Sequence, residues 1–195
     1  MRKALTFINI ALLLASFFSF IVYASSSNSY YADCDTFYQQ KSNWCWVASA
    51  QCSATYENEL TPYDQYDAVR FLKGTPSTPY PNVGGTILDT ERAAEYIVNM
   101  NVDYFSANCT YPGEFFVSQI LSNHVAMAGA GYYDQNGNRT GGHVTPILGI
   151  SHESGTRFIT YYDPYYNRNY RMPITSFFDG SSFNGRKYDQ TCGVR

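Results

Sequence analysis

The sequence predicts an α+β domain, with a helical N-terminal half followed by an antiparallel, β-rich C-terminal half. Two observations carry this. Between Trp44 and Asn123 lie stretches of helical length, poor in Gly and Pro and separated by loops. From His124 onward, short strand-like runs alternate with tight-turn signals, the pattern of neighbouring antiparallel strands.

The elements follow in order. Trp44 to about Tyr56 is rich in Ala and lacks Gly and Pro, so it reads as a helix, with Ser42 or Asn43 as its N-cap. Cys45 then falls in the first turn. Thr61 to Lys73 predicts a second helix, with Pro62 near its start and Gly74 just beyond its end. Gly74 to Gly85 carries three prolines and three glycines and is a loop. Thr86 to Asn99 predicts a third helix, buried through Ile87, Ala94, Ile97 and Val98. Pro112 to Asn123 predicts a short fourth. Strands are expected over His124–Tyr133, His143–Ile150, Arg157–Tyr162 and Arg168–Ile174. The run Asp134-Gln135-Asn136-Gly137-Asn138 turns the chain between the first two, and Glu153-Ser154-Gly155 turns it again.

The first 24 residues are set apart from the fold. Arg2 and Lys3 precede an almost wholly apolar run to Tyr23, and Val22-Tyr23-Ala24 places small residues where a signal peptidase reads. The expected organisation is therefore a signal peptide over residues 1–24 and one domain over residues 25–195. The apolar run approaches membrane-spanning length, so an uncleaved N-terminal anchor is the alternative. Either way the domain is expected to be secreted or otherwise extracytoplasmic. Its size suits a single domain with a real core, and it is expected to act as a monomer.

The formal charge is −3, and removal of Arg2 and Lys3 makes it more negative. An acidic chain without a basic cluster is a poor partner for nucleic acid or an anionic membrane surface. The 19 tyrosines suit a small extracellular β-rich surface.

Five cysteines are present: Cys34, Cys45, Cys52, Cys109 and Cys192. Outside the cytoplasm cysteines tend to pair, so an odd number leaves one thiol over. With Cys45 as that thiol, Cys34, Cys52, Cys109 and Cys192 remain for two disulfides, in any of three connectivities. Sequence does not choose among them, and a rival allocation pairs Cys45 and frees another. On one helix Cys45 and Cys52 would lie about two turns, roughly 10 Å, apart, beyond disulfide reach. No two cysteines or histidines are spaced as paired zinc ligands, so neither metal nor cofactor is expected.

The chemistry-bearing residues lie in three segments. In Gln39-Gln40-Lys41-Ser42-Asn43-Trp44-Cys45-Trp46 a cysteine opens a helix, where the dipole favours thiolate. Gly141-Gly142-His143 opens a strand and can supply an imidazolium and general base, with Gly142 clearing space for substrate. Asp163, in Tyr162-Asp163-Pro164, can fix the imidazole tautomer from an adjacent strand. Gln39 can aim its side-chain amide at the developing oxyanion beside the Cys45 backbone N–H. Gln40 is its register alternative, and His124 is the alternative to His143. Trp46 is a candidate for substrate contact, although such tryptophans more often wedge the helix against its surroundings. If the segments meet, a cysteine hydrolase is expected.

These motifs and their order resemble the papain-like cysteine peptidases, especially the compact bacterial branch grouped with AvrRpt2-type and C39-like proteases. The resemblance runs from about Tyr38 to Pro164. It implies a two-lobed fold, the nucleophile helix facing a β-lobe across a cleft. It assigns Cys45 as nucleophile, His143 as acid–base, Asp163 as orienting group and Gln39 to the oxyanion hole. It also implies peptide or protein substrates and a thioester acyl-enzyme. Asp163 stands where papain itself has Asn, which suits the compact branch. The same triad would serve an amidase, deamidase or transamidase. A non-catalytic, disulfide-bonded binding or toxin-like module is the third reading, and it would be favoured by Cys45 in a disulfide.

Overall fold

A computed structural model describes residues 28–108, 113–179 and 186–195. The expected export signal and Cys109 lie outside these residues. Four helices of the N-terminal half and its flank are α1 (Cys45–Glu57), α2 (Gln65–Lys73), α3 (Ile87–Val98) and α4 (Gly113–Leu121), and α5 (Ile174–Asp179) comes late in the chain. The strands are β1 (Asn28–Tyr31), β2 (Tyr104–Asn108), β3 (Met127–Tyr133), β4 (Arg139–Glu153), β5 (Thr156–Asp163), β6 (Arg168–Pro173) and β7 (Arg186–Val194). They form one antiparallel sheet in the order β2-β7-β3-β4-β5-β6, with β1 added beside β4.

Capping chemistry sets the helix starts. Asp64 and Thr86 each close a capping box with the Asp three residues on, so α2 begins after Pro62 and α3 begins at Ile87. Asn99 ends α3 in the left-handed region at φ 48°. α1 departs from expectation. Its N-cap is Trp44, with no side-chain cap hydrogen bond. Ser42 and Asn43 instead bond Asn82 in the loop after α2: Asn82 Nδ2 donates to Ser42 Oγ at 2.9 Å, and Asn43 Nδ2 donates to the Asn82 carbonyl at 3.0 Å. The first-turn N–H groups of α1 are thereby left for another acceptor.

β4 is the spine of the sheet. It pairs β3 from Arg139 to Pro146, and β1 takes over the same side from Gly149 to His152. On its other side β5 pairs only from Ile147 onward. The stretch of β4 around His143–Thr145 therefore carries a strand on one side only among the described residues, and α1 packs against it.

Two cores result. One joins α1, α2 and α3 to the sheet through Trp44, Trp46, Val47, Ile97 and Met127. The other lies among the sheet, α4 and α5, around Phe116, Ile147, Tyr161, Phe177 and Tyr188, with the last two rings stacked at 3.9 Å. α1 is buried along most of its length, which explains why its sequence is apolar and small on every side rather than amphipathic. No helix among the described residues is long and apolar enough to cross a membrane.

Candidate active site

Cys45 is the first residue of α1 and remains partly exposed on a cleft of about 800 Å³. Gln39, Gly142 and His143 line the same cleft, along with Arg139, Tyr165 and Tyr166. The three segments that the sequence singled out are thus brought together. Of the three histidines only His143 lines the cleft; His124 is paired with Glu57 at 3.0 Å, and His152 sits on the exposed end of β4.

Two adjacent strands hold the imidazole. His143 on β4 bonds through Nε2 to Asp163 Oδ1 at the end of β5, at 3.0 Å. Asp163 is fully buried, and the same oxygen accepts the backbone N–H of Tyr165 at 2.9 Å, so the Asp-Pro turn pins its own carboxylate. With Nε2 engaged, the other ring nitrogen is left for the Cys45 thiol, which His143 faces closely enough to lower its pKa. Burial alone would push the His143 pKa down. The hydrogen bonds to Asp163 and Cys45 overcome it and raise the pKa to about 9. Burial likewise disfavours a Cys45 thiolate, yet the His143 hydrogen bond and charge, together with the Val144 and Trp46 backbone N–H groups, bring its pKa below the ordinary thiol value. Both shifts favour the thiolate–imidazolium form of the pair.

Gln39, not Gln40, faces the cleft. Gln39 is buried, its backbone N–H donates to the Pro164 carbonyl at 3.1 Å, and its side-chain nitrogen donates to the Lys41 carbonyl at 2.8 Å. Gln40 is exposed, and its backbone N–H is held by Gln65. Gly142 has a steric reason to be glycine: a Cβ there would stand 3.0 Å from the Ala130 carbonyl oxygen and 2.9 Å from Arg139 Nη2.

Trp46 corrects the sequence reading. It is fully buried in the helical core, its indole N–H donates to the Val83 carbonyl at 3.2 Å, and it contributes nothing to the cleft wall. Successive helix positions are rotated by about 100°. With Cys45 aimed at the cleft, Trp46 points away from it. Trp44 is equally buried and donates to the Pro81 carbonyl at 3.0 Å. The two indoles thus fix the 81–83 loop beside the nucleophile segment.

The cysteines divide as follows. Cys34, Cys45, Cys52 and Cys192 carry free thiols. Cys34 and Cys52 pack in one cluster with Leu148 and Tyr162, whereas Cys192 is in the helical core. A second groove, of about 750 Å³, opens over Cys34 and is lined by Asp33, Asp35, Glu59, Asp64 and Asp67.

The profile of the family described as papain-like cysteine protease AvrRpt2 matches residues 28–181. The chain belongs to this family. Family membership makes it a papain-like cysteine protease by descent of its fold and motifs. No curated protein matches it. Among solved structures, it is similar to UfSP from C. elegans at 10% identity and a TM-score of 0.49, covering 86% of this chain and 34% of that one. It is similar to the digestive procathepsin L 3 of Tenebrio molitor larval midgut at 12% identity and a TM-score of 0.45, covering 74% of this chain and 64% of that one. The peptidase thus spans about a third of the first protein's length and just under two thirds of the second's.

Sequence reasoning missed the main-chain donors that face the thiol itself. The Val144 N–H that faces the thiol leaves no mark in residue type. The residue that holds Val144 does leave one, a serine one helical turn after Cys45.

Proposed function

We propose that this peptidase cleaves peptide bonds through a thioester at Cys45, with His143 as acid–base, Asp163 as its orienting group and Gln39 in the oxyanion hole. The supporting observation is the His143 ring set between Asp163 and the Cys45 thiol on the floor of the cleft. The Cys45 thiolate attacks the carbonyl carbon, forming the C–S bond and a tetrahedral oxyanion. His143 passes its proton to the amide nitrogen as the C–N bond breaks and the amine departs. Water then attacks the thioester, His143 takes its proton, and the carboxylic product leaves with the thiol restored. The Cys45 N–H and one N–H of the Gln39 amide supply the oxyanion donors. The other Gln39 N–H is tied to the Lys41 carbonyl, which fixes the amide plane before substrate arrives.

An epoxide inhibitor of cysteine proteases, with the adduct mapped by mass spectrometry, tests this reading. Label on Cys45 is expected, and a folded, reduced protein left unlabelled there defeats it. The pH dependence is a second expectation. Hydrolysis rises as Cys45 ionises, below the ordinary thiol range, and falls as His143 loses its proton near pH 9. A profile still rising through pH 10 would mean that no imidazolium donates to the leaving group.

The export signal places residues 25–195 outside the cytoplasm in this reading, acting there as a monomer. In that compartment Cys34 and Cys52, neighbours in one cluster, form a disulfide: two thiols surrender two protons and two electrons to a disulfide-bearing oxidant through a mixed disulfide. Burial first, then Asp35 and Asp33, pushes the Cys34 thiol up to about 12, and burial pushes Cys52 higher still. Oxidation therefore precedes burial, during folding. Protein from an oxidising compartment should yield a Cys34–Cys52 cross-linked peptide, and reducing that bond should lower stability by about 3 kcal/mol for a loop of this size. Two alkylatable thiols at Cys34 and Cys52 in unreduced, unfolded protein would refute the pairing.

A further inference from the structure

Beyond the triad, one residue of β4 turns both its backbone N–H and its carbonyl toward α1. The Val144 backbone N–H faces the Cys45 sulfur and favours its thiolate. Its carbonyl accepts the Ser49 hydroxyl at 2.9 Å, a buried contact between residues 95 apart in sequence. Ser49 is fully buried and lies one helical turn after Cys45, so the two side chains share a face. They meet β4 along the stretch that β5 leaves unpaired. The helix therefore does for Val144 what a neighbouring strand does elsewhere, meeting a donor and an acceptor that would otherwise be costly to bury. Because His143 is the adjacent residue, whatever fixes Val144 also fixes the imidazole relative to the thiol.

We propose that Ser49 is a positioning residue: by holding the Val144 carbonyl, its hydroxyl keeps the Val144 N–H and the His143 ring in register with Cys45. This rests on Cys45 being the nucleophile. Ser53, a further turn along α1, supplies the internal control. Its hydroxyl makes the same kind of buried bond, to the Val125 carbonyl at 2.6 Å, but on a segment that carries no catalytic group. A purely structural role predicts like behaviour from the two serines, and a positioning role separates them.

The test measures the pH dependence of Cys45 alkylation by iodoacetamide, site-mapped by mass spectrometry, together with Tm. The charged and titratable groups on the cleft around Cys45 are His143, Arg139, Tyr132, Tyr165 and Tyr166, with Asp163 behind His143. All stay in place in the variants. Ser49→Ala is expected to slow alkylation at neutral pH by roughly tenfold, the acid limb moving up by about one pH unit. Ser53→Ala should lower Tm and leave that profile unchanged. If Ser49→Ala does not fold, Ser49→Thr and Ser49→Val replace it, a pair matched in shape that differs in the hydroxyl: Thr should keep the wild-type profile and Val should show the shift. A Ser49 variant lacking the hydroxyl but with the wild-type profile overturns the inference, as does an equal shift in Ser53→Ala. Absence of Cys45 alkylation in the wild-type protein would instead remove the nucleophile reading beneath it.

Discussion

Replacing Cys45 with alanine is expected to abolish hydrolysis of an unfolded protein such as casein, with kcat/KM falling on the order of 10⁵-fold or more. The size follows from what the thiol does. Among the described residues no other nucleophile lies between His143 and the first turn of α1, and the imidazolium is favoured first by Asp163 and then by Cys45. The fold should survive. Cys45 is the first residue of its helix and partly exposed, so truncation opens the cleft rather than a cavity, and Tm should stay within a few degrees of wild type. Cys45→Ser should be nearly as inactive, since a hydroxyl does not ionise in this range. Because the pair acts as a unit, adding His143→Ala to Cys45→Ala should cost little more. Activity within tenfold of wild type in Cys45→Ala would mean that the hydrolysis belongs to another group.

Much of this site was legible because each part is a local signal. A cysteine at the start of a Gly- and Pro-free run, a Gly-Gly-His before a strand and an Asp-Pro after the next strand each declare their backbone setting. The chain then brought Cys45, Gln39, Gly142 and His143 to one cleft, with Asp163 behind His143. What failed was what depends on distant partners. β7 lies between β2 and β3 inside the sheet, yet its sequence, Arg186-Lys187-Tyr188-Asp189-Gln190-Thr191-Cys192-Gly193-Val194, has too many polar groups to read as a central strand. One of those polar groups is used on both sides: Gln190 donates to Asn108 on the neighbouring β2 and accepts from Arg139 on β4. β1 was hidden for a related reason. Its four residues are exposed and have no apolar alternation, and pairing with β4 makes them a strand. Ser42 and Asn43 looked like helix caps until Asn82, far off in sequence, took their side chains.

Trp46 supplies the largest expected effect on stability, and it separates a core role from a substrate role. The indole is fully buried and packs on the backbone of Gly85, where a Cβ would collide with the ring. That contact, with the hydrogen bond to the Val83 carbonyl, seats the loop that borders the cleft at Gly84 and Gly85. Trp46→Ala would leave a large void in a rigid helical core and an unmet carbonyl beside it, an expected loss of about 3–5 kcal/mol in urea unfolding. Trp46→Phe retains most of the packing and loses the donor, so its cost should be about 1–2 kcal/mol. Kinetics then discriminate. A core residue that seats a loop should give Trp46→Phe a kcat/KM within a few-fold of wild type once the folded fraction is accounted for. A substrate-binding residue would give the reverse, an unaltered unfolding midpoint with a raised KM. The geometry favours the first result, because an indole whose face lies on one backbone and whose N–H is spent on another has no surface left to offer a peptide.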